Sequence, residues 1–330
     1  MASSSVAVER AGRQDAPGPI AAFIDRLKTG DEIAHLITLS FAASIFLLTV
    51  WLVFELWVNS ALSRHAFGWK FFFTSTWDPV AGNFGALPFI YGTVVTSALA
   101  LLIAIPIGVG AAIFLAEMAP ARISDALTFI IELLAAVPTV IFGLIGIFVL
   151  VPILRTTVQP FLKSTLGFLP LFQGPTYGVG FLAAGLVLSL IVVPFIISIS
   201  REVLLAVPVE QREAALALGA TKWESTWKVV VPYARSGIMG SIFLSLARAL
   251  GETMAVTMVI GNDPKISASL FAPGYTIAAV IANEFTEASG DLYVHSLIEL
   301  ELVLFLLTMI INALARLLVV ATTRRGTALG

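Results

Sequence analysis

The sequence predicts an all-α, polytopic membrane protein with six transmembrane helices and both termini on the cytoplasmic side. Composition is the first reason: 58% of the 330 residues are hydrophobic and only 12% are charged, whereas soluble domains are about a quarter charged. The second reason is that six apolar stretches reach the roughly 20 residues that a helix needs to cross a bilayer. These stretches are residues 34–58, 90–117, 126–152, 178–200, 237–261 and 293–320.

The distribution of basic residues predicts the orientation of these helices. With both termini in the cytoplasm, the inner segments hold thirteen of the nineteen Lys and Arg residues and the outer segments hold five. Arg248 is the remaining one and falls inside the fifth span. Because cytoplasmic loops of membrane proteins are enriched in Lys and Arg, this distribution favours an N-in, C-in topology.

The segments follow in order from these spans. The N-terminal segment is polar and lacks the apolar core of a secretory signal, so we expect a cytoplasmic tail. The predicted segments are a cytoplasmic tail (1–32), a first transmembrane helix (33–58), an extracytoplasmic loop (59–89), a core with five transmembrane helices (90–320, including a cytoplasmic connection at 201–236) and a C-terminal tail (321–330).

The first outer loop is rich in Trp and Phe, as its sequence SRHAFGWKFFFTSTWDPVAGNFG indicates. Such residues favour the membrane–water boundary, so an interfacial aromatic belt is the favoured interpretation. A specific docking surface is the alternative.

Several function classes are disfavoured by what the sequence lacks. There are no cysteines, and the three histidines are far apart and show no ligand spacing, so we expect no metal site. A nucleotide-binding P-loop ends in Gly-Lys-Ser or Gly-Lys-Thr, and no Gly-Lys pair occurs in the chain. We therefore expect neither ATP hydrolysis nor another enzymatic activity from this chain.

The longest inner connection predicts a structured elbow. Glu213-Ala214-Ala215 begins a helix-forming run, and Gly219 suits the left-handed residue that ends a helix. Thr221 and Glu224 have the spacing of a capping box, which predicts that a second helix starts there.

The surface of the elbow has two interpretations. Trp223 and Trp227 are four residues apart and line one helical face, and Pro232 marks the return to the membrane. The face could fill a groove on a partner protein. It could equally rest on lipid as an amphipathic surface helix.

The stretch SLARALGETMAV, residues 245–256, places a cation and an anion in the fifth span. Counted from Gly237, Arg248 lies about 16 Å along the helix, and Glu252 is expected on the same side one turn later. An arginine at that depth must be paired or hydrated. The pair is either a structural ion pair or a relay in which Arg248 offers a planar fork of donors to an oxyanion.

The elbow and the charged pair resemble a known family. EAALALGATKWESTWKVVVP is similar to the EAA loop of binding-protein-dependent ABC importer permeases, with valines where that family more often has Ile and Leu. RALGETMAVTMVIGN closely resembles the fifth span of phosphate-specific permeases of the PstC type. Three further segments are similar to that type: FGWKFFFTSTWDPV, YGTVVTSALALLIAIPIGVGAAIFLAE and ELLAAVPTVIFGLIG.

The resemblance implies a type I ABC importer permease fold and a role as the permease subunit of an ATP-driven phosphate importer in a bacterial cytoplasmic (inner) membrane. Arg248 and Glu252 map onto a charged pair implicated in phosphate passage. The residues implied for coupling to the ATPase are Glu213, Ala214, Ala215, Gly219, Trp223 and Pro232.

The resemblance also implies partners. They are a second permease subunit (PstA type), two ATPase subunits (PstB type), an extracytoplasmic phosphate-binding protein (PstS type) and membrane lipid, with no nucleic acid. ATP and Mg²⁺ belong to the ATPase, and no cofactor is expected on this chain.

Two alternatives remain open from the residues. One is a permease for another oxyanion, such as sulfate or molybdate, because an arginine by itself does not distinguish these from phosphate. The other is an ATP-independent secondary transporter or channel, against which the lack of visible inverted symmetry weighs mildly.

Overall fold

The computed structural model describes residues 31–326, with side chains described for residues 34–317. Within residues 31–326 the chain forms helices and connecting turns without a β-strand. It divides into two units, residues 1–58 and 59–330. The predicted N-terminal tail lies outside the described residues, apart from Asp31 and Glu32, which already belong to the first helix.

The first unit contains helix α1, Asp31–Asn59, whose described side chains are mostly apolar. Its hydroxyl groups bond within the helix: those of Thr38, Ser40 and Thr49 donate to carbonyls four residues earlier at 2.7–2.9 Å. Because these groups need no outside partner, α1 can face hydrocarbon at little polar cost.

The second unit holds the other helices, many of which join end to end through π-helical turns. Its first half comprises α2 (Ala61–Phe67), α3 (Leu87–Ile113, extended by a π turn to Met118), α4 (Ala121–Ala136), and then α5 (Thr139–Ile145), α6 (Val151–Ile153) and α7 (Gln159–Leu166), which π turns join into one rod. Its second half comprises α8 (Phe181–Leu205), α9 (Val209–Ala217), α10 (Lys222–Ser225, joined by a π turn to α11), α11 (Val231–Leu250), α12 (Met254–Ile260), α13 (Ile277–Glu284) and α14 (Asp291–Gly326).

Six helical segments of the described chain are long and apolar enough to cross a membrane, as predicted. They are Ala34–Asn59, Leu87–Met118, Thr139–Leu166, Phe181–Leu205, Lys222–Leu250 and Asp291–Leu317. The first, second, fourth and sixth lie close to the predicted stretches. The last helix continues to Gly326, so most of the predicted C-terminal tail is helical and residues 327–330 lie outside the described residues.

The third span differs from the prediction of 126–152. The helix that begins at Ala121 ends at Ala136, and Val137 and Pro138 are extended, with ψ of 130° and 135°. Proline has no N–H for the helix and forces the residue before it out of the helical conformation. The spanning rod therefore starts afresh at Thr139 and runs to Leu166.

The fifth span also differs from the prediction of 237–261. It begins in the elbow at Lys222, because a π turn over Thr226–Val230 carries the helix into α11. Pro232 is the second residue of α11, directly after that π turn, and the continuous helix lacks one backbone hydrogen bond there because proline has no N–H. The same helix ends at Leu250, so the connection between the fourth and fifth spans is shorter than 201–236.

The core of the second unit centres on α3 packed against α8. Gly108 of α3 lies against Ile196, and Gly185 of α8 lies against Leu99; a Cβ at either glycine would come within 2.7 Å of the facing side chain. Small residues of this kind let two membrane helices approach closely. Helices α5 and α12 also pack against α8 and complete this core.

Part of the outer aromatic loop forms a second core, although Trp69 and Phe73 of the same loop are 82% and 76% exposed. Phe71, Trp77 and Phe84 are at most 9% exposed and pack with Phe89 of α3 and residues of α13 and α14. The Trp77 indole lies edge-on to both Phe84 and Phe89, with centroids 4.9 and 4.8 Å apart. The belt interpretation is wrong for these residues because α13 and α14 supply an apolar surface that covers them.

Candidate functional site

Arg248 lies in the last turn of α11, immediately before a break in the helix. Its guanidinium carbon stands 4.1 Å from the centroid of the Phe195 ring of α8. A cation over an aromatic face is stabilised by the ring quadrupole, and a positive charge in the last turn of a helix is stabilised by the helix dipole. Among the described side chains, a ring and a helix end therefore support this charge, and no carboxylate forms a salt bridge with it.

Glu252 lies in the break itself, over Gly251–Thr253, and not on a continuation of the same helix. One of its oxygens accepts a long hydrogen bond, 3.4 Å, from the N–H of Ala255 in the first turn of α12. Among the described side chains no salt bridge joins Glu252 to Arg248. The expectation of both charges on one continuous helix is wrong, because α11 ends at Leu250.

The break has a counterpart in the third span. Gly143 of α5 contacts Ala255 and Met258 of α12, and one turn later Gly146 contacts Val259. The contacts advance in the same direction along both helices, so α5 and α12 run parallel. They begin side by side, after the breaks at 137–138 and 251–253. Non-helical backbone at membrane depth is tolerated where it is buried in protein or lines an aqueous cavity.

Polar groups near the break are left without partners in the described chain. The Nε of Arg248 and the hydroxyl of Ser245, one turn earlier, are buried and form no hydrogen bond. Ser245 is 1% exposed, so its hydroxyl cannot form a hydrogen bond with water at the surface. Unpaired buried donors favour the binding of a polar ligand, because a buried hydrogen-bonding group without a partner costs about 1–3 kcal/mol.

The predicted elbow is confirmed in its geometry. Helix α9 ends before Gly219, which has a φ of +85°. The N–H of Glu224 donates to the Thr221 hydroxyl at 3.2 Å, and the N–H of Thr221 donates to the Glu224 carboxylate at 3.0 Å. This reciprocal pair is the capping box that the sequence predicted.

The elbow presents an exposed apolar face. Trp223 and Trp227 stand edge to face with centroids 5.5 Å apart and are 57% and 46% exposed. Leu218, at the tip, is 90% exposed. A groove of about 480 Å³ lies between the two helices and is lined in part by Ala214, Ala215 and Gly219.

Three functional features were missed by sequence reasoning. The Phe195 ring under Arg248 belongs to another helix, and no local pattern indicated it. The break at Val137–Pro138 was signalled by the proline, which lies inside the predicted span of 126–152. The third is an ion pair between Arg212 of the elbow and Glu117 at the end of α3, residues 95 positions apart in the chain.

Six membrane-spanning helices, with a charged break after the fifth and a helical elbow between the fourth and the fifth, are the architecture of a membrane-embedded transport subunit. Residues 104–325 match the family model of the binding-protein-dependent transport system inner membrane component. The chain belongs to this family.

Curated relatives cover most of the chain. The phosphate transport system permease protein PstC of Mesorhizobium japonicum is 48% identical over 299 residues, which are 89% of this chain and 91% of that protein. The PstC protein of Xylella fastidiosa strain 9a5c is 49% identical over 262 residues, 78% of this chain and 81% of its own. That of Pasteurella multocida is 45% identical over 289 residues, with 86% and 90% covered.

The fold is also found among solved structures. The chain matches one from the crystal structure of a bacterial alginate ABC transporter with a TM-score of 0.55 and 15% identity, over 88% of this chain and 96% of that chain. This likeness concerns the fold alone. It confirms the type I ABC importer permease fold expected from the resemblance, and the chain is a multi-pass membrane protein and a transport subunit.

Proposed function

We propose that this chain is the permease subunit of an ATP-driven phosphate importer. The observation that carries the proposal is its identity of 44–49% with PstC proteins over 78–89% of its length. It forms half of the translocation pathway in a bacterial inner membrane, with both ends in the cytoplasm. The distribution of Lys and Arg supports that orientation.

In this proposal Arg248 contacts phosphate as it passes the break in the fifth span. Its guanidinium is held by Phe195 rather than by a carboxylate, so its donors remain available to a tetrahedral oxyanion. Glu252, on the other side of the break, repels the anion and limits how tightly it is retained. A conduction site must bind strongly enough to admit the ion and weakly enough to release it.

A second permease subunit, of the PstA type, completes the pathway. Arg248 is only partly buried within this chain, and a charge at membrane depth requires an aqueous or polar surrounding. A similar subunit facing the break supplies the missing wall of an aqueous lumen. Selectivity between oxyanions then rests largely with an extracytoplasmic phosphate-binding protein of the PstS type.

The elbow docks into ATPase subunits of the PstB type, which bind ATP and Mg²⁺ and hydrolyse the ATP. Exposed Leu218, Trp223 and Trp227 form an apolar surface suited to a protein groove. Glu213, Ala214, Ala215, Gly219 and Pro232 shape the elbow that carries this surface.

The test is phosphate uptake by the reconstituted complex containing Arg248→Gln. We expect uptake to fall at least about tenfold, because hydrogen bonds from a charged donor contribute about 1.5–3 kcal/mol and glutamine lacks the charge. Co-purification of the ATPase establishes that the variant assembles. Arg248→Lys keeps the charge without the fork, and we expect an intermediate rate.

Arg155→Gln is the matched control, since Arg155 is an exposed arginine near the outer end of the third span. It should import phosphate at the wild-type rate. Wild-type uptake by an assembled Arg248→Gln complex would remove Arg248 from the mechanism.

Competition separates phosphate from other oxyanions. Unlabelled phosphate should suppress labelled phosphate uptake, whereas sulfate or molybdate at the same concentration should not. Stronger suppression by either of these would assign the importer to that anion.

A further inference from the structure

Arg212 connects the cytoplasmic elbow to the ends of two membrane helices. It lies in α9, while Glu117 lies in the π turn that ends α3. Its Nη2 and Nε donate to the Glu117 carboxylate at 2.8 and 3.2 Å. The same guanidinium donates to the carbonyls of Leu204 and Val207, at the end of α8, at 2.7 and 2.5 Å.

This contact uses nearly the whole hydrogen-bonding capacity of the side chain. Four of the five N–H groups of the guanidinium have acceptors. The side chains of Arg212 and Glu117 are 19% and 10% exposed. The Leu204 carbonyl lies in the last turn of α8, where a positive charge is favoured, and the Val207 carbonyl lies in the short connection between α8 and α9.

Apolar packing does little to hold α9 in place. Of its nine residues only Ala215 is buried, and those flanking Arg212 on both sides are exposed. Helix α9 packs mainly on the second half of the elbow, α10 and the π turn that follows it. Its firm attachment to α3 and α8 is therefore the polar contact of Arg212.

The two helices that Arg212 joins form one body. Helices α3 and α8 make the most extensive helix contact in the described chain, with glycines at the closest approaches. Helix α8 also carries Phe195, the ring that supports Arg248. Phe195 is ten residues from the end of α8, or roughly 15 Å along its axis, so a shift of that end moves the support of the intramembrane arginine.

We propose that the Arg212–Glu117 pair is the joint that transmits movement of the elbow to α3 and α8, and through Phe195 to Arg248. Arg212 is a positioning residue and does not contact substrate. This inference rests on the proposed function, since it assigns a route to the ATP-driven movement. A bidentate fork resists rotation about the contact, which a single ammonium group does not.

The experiment measures phosphate imported and ATP hydrolysed in the same proteoliposomes, with the second permease, the ATPases and the binding protein present. For Arg212→Gln and for Glu117→Gln we expect ATP hydrolysis to continue while the ratio of phosphate to ATP falls about five- to tenfold, within the usual range of coupling between sites. Arg212→Lys should recover part of the ratio. The ratio of phosphate to ATP in the double variant should be no lower than in the more impaired single variant, because the two substitutions remove the same interaction.

Arg201→Gln is the matched control. Arg201 lies near the same end of α8 with a similar side-chain exposure of 14%, but it bonds Ser124 and Glu202 and does not reach the elbow. The ratio of phosphate imported to ATP hydrolysed in Arg201→Gln should equal that of the wild type.

Two results would overturn the proposal that this pair transmits movement. One is a ratio of phosphate to ATP in Arg212→Gln that equals the ratio in an active wild type. The other is loss of assembly in Arg212→Gln, Arg212→Lys and Glu117→Gln alike, which would assign the pair to folding of the elbow. A wild-type complex that imports no phosphate with ATP would instead refute the proposed function, and if it imports sulfate the same ratio can be measured with sulfate.

Discussion

At the scale of single residues, the central feature is an arginine supported by a ring instead of a carboxylate. A guanidinium neutralised by Glu252 would have little affinity left for a passing anion. Because the helix ends between the two residues, the charges are separated and Arg248 rests on Phe195 at 4.1 Å. The ring stabilises the cation without occupying its N–H groups, which point along the plane of the fork.

Substitution of Phe195 tests this support. Phe195→Leu keeps an apolar side chain but removes the π face, worth about 0.5–1 kcal/mol or roughly a two- to fivefold change. We expect phosphate uptake to fall by that factor, because Arg248 loses its fixed position. Radiolabelled phosphate uptake by the assembled complex is the measurement.

Phe195→Tyr keeps the ring and should retain most of the uptake. Phe129→Leu removes an exposed ring from α4 and controls for general effects of losing an aromatic group. Equal losses in Phe195→Leu and Phe195→Tyr would show that the ring face is not what matters.

At the scale of elements, the apolar stretches predicted as the third and fifth spans are each interrupted by a break. The helices that follow the two breaks, α5 and α12, pack in parallel through Gly143 and Gly146. A proline separates α5 from the helix before it, and a break that contains a glycine separates α12 from the helix before it. The two helices thus form one packed pair, and α12 begins directly after Glu252 and Thr253.

The elbow turn depends on Gly219, whose φ of +85° is the left-handed conformation. A Cβ at this position would touch nothing within 4 Å, so the cost of Gly219→Ala is conformational, about 1–2 kcal/mol. We expect Gly219→Ala to weaken ATPase association about tenfold, because the two helices of the elbow lose their fixed angle. Titration of the ATPase against the purified permease measures this.

Gly219→Asn is the informative companion, since asparagine adopts the left-handed conformation more readily than alanine. It should bind the ATPase more tightly than Gly219→Ala. Gly240→Ala changes an equally open glycine inside α11 and should leave binding unchanged. Equal binding by Gly219→Ala and the wild type would contradict a role for the turn.

Sequence reasoning succeeded where a signal was local. The capping box of Thr221 and Glu224 and the turn at Gly219 depend on residues a few positions apart, and the structure confirms them. It failed where the helix boundaries were taken from hydrophobicity alone: apolar composition continues through Pro138 and Gly251, although the proline itself signals a break. The Arg212–Glu117 and Arg248–Phe195 contacts join distant segments, and a single sequence carries no information on such pairs.

At the scale of the whole molecule, the proposed importer divides the phosphate pathway and the source of energy between different subunits. Its sequence has no Gly-Lys pair and hence no P-loop. The Arg212 contact lies at the inner ends of α3 and α8, and the Arg248 contact lies farther along α8. In the proposed function, the force on the elbow therefore comes from the ATPase subunits.

The last prediction separates an ATP-driven importer from a secondary transporter. In proteoliposomes that contain all subunits, uptake should require ATP on the ATPase side and should stop when Mg²⁺ is chelated, because the nucleotide and its metal ion belong to the ATPase. Ionophores that collapse ion gradients should leave the initial rate of phosphate uptake within about twofold, since no conformational step of the permease draws on a gradient in this mechanism.

The two permease subunits without ATPase should show background uptake only, because α9 is then attached to nothing that moves it. Gradient-driven uptake by the permease subunits alone would contradict the importer and favour a secondary transporter, whatever the role of Arg248.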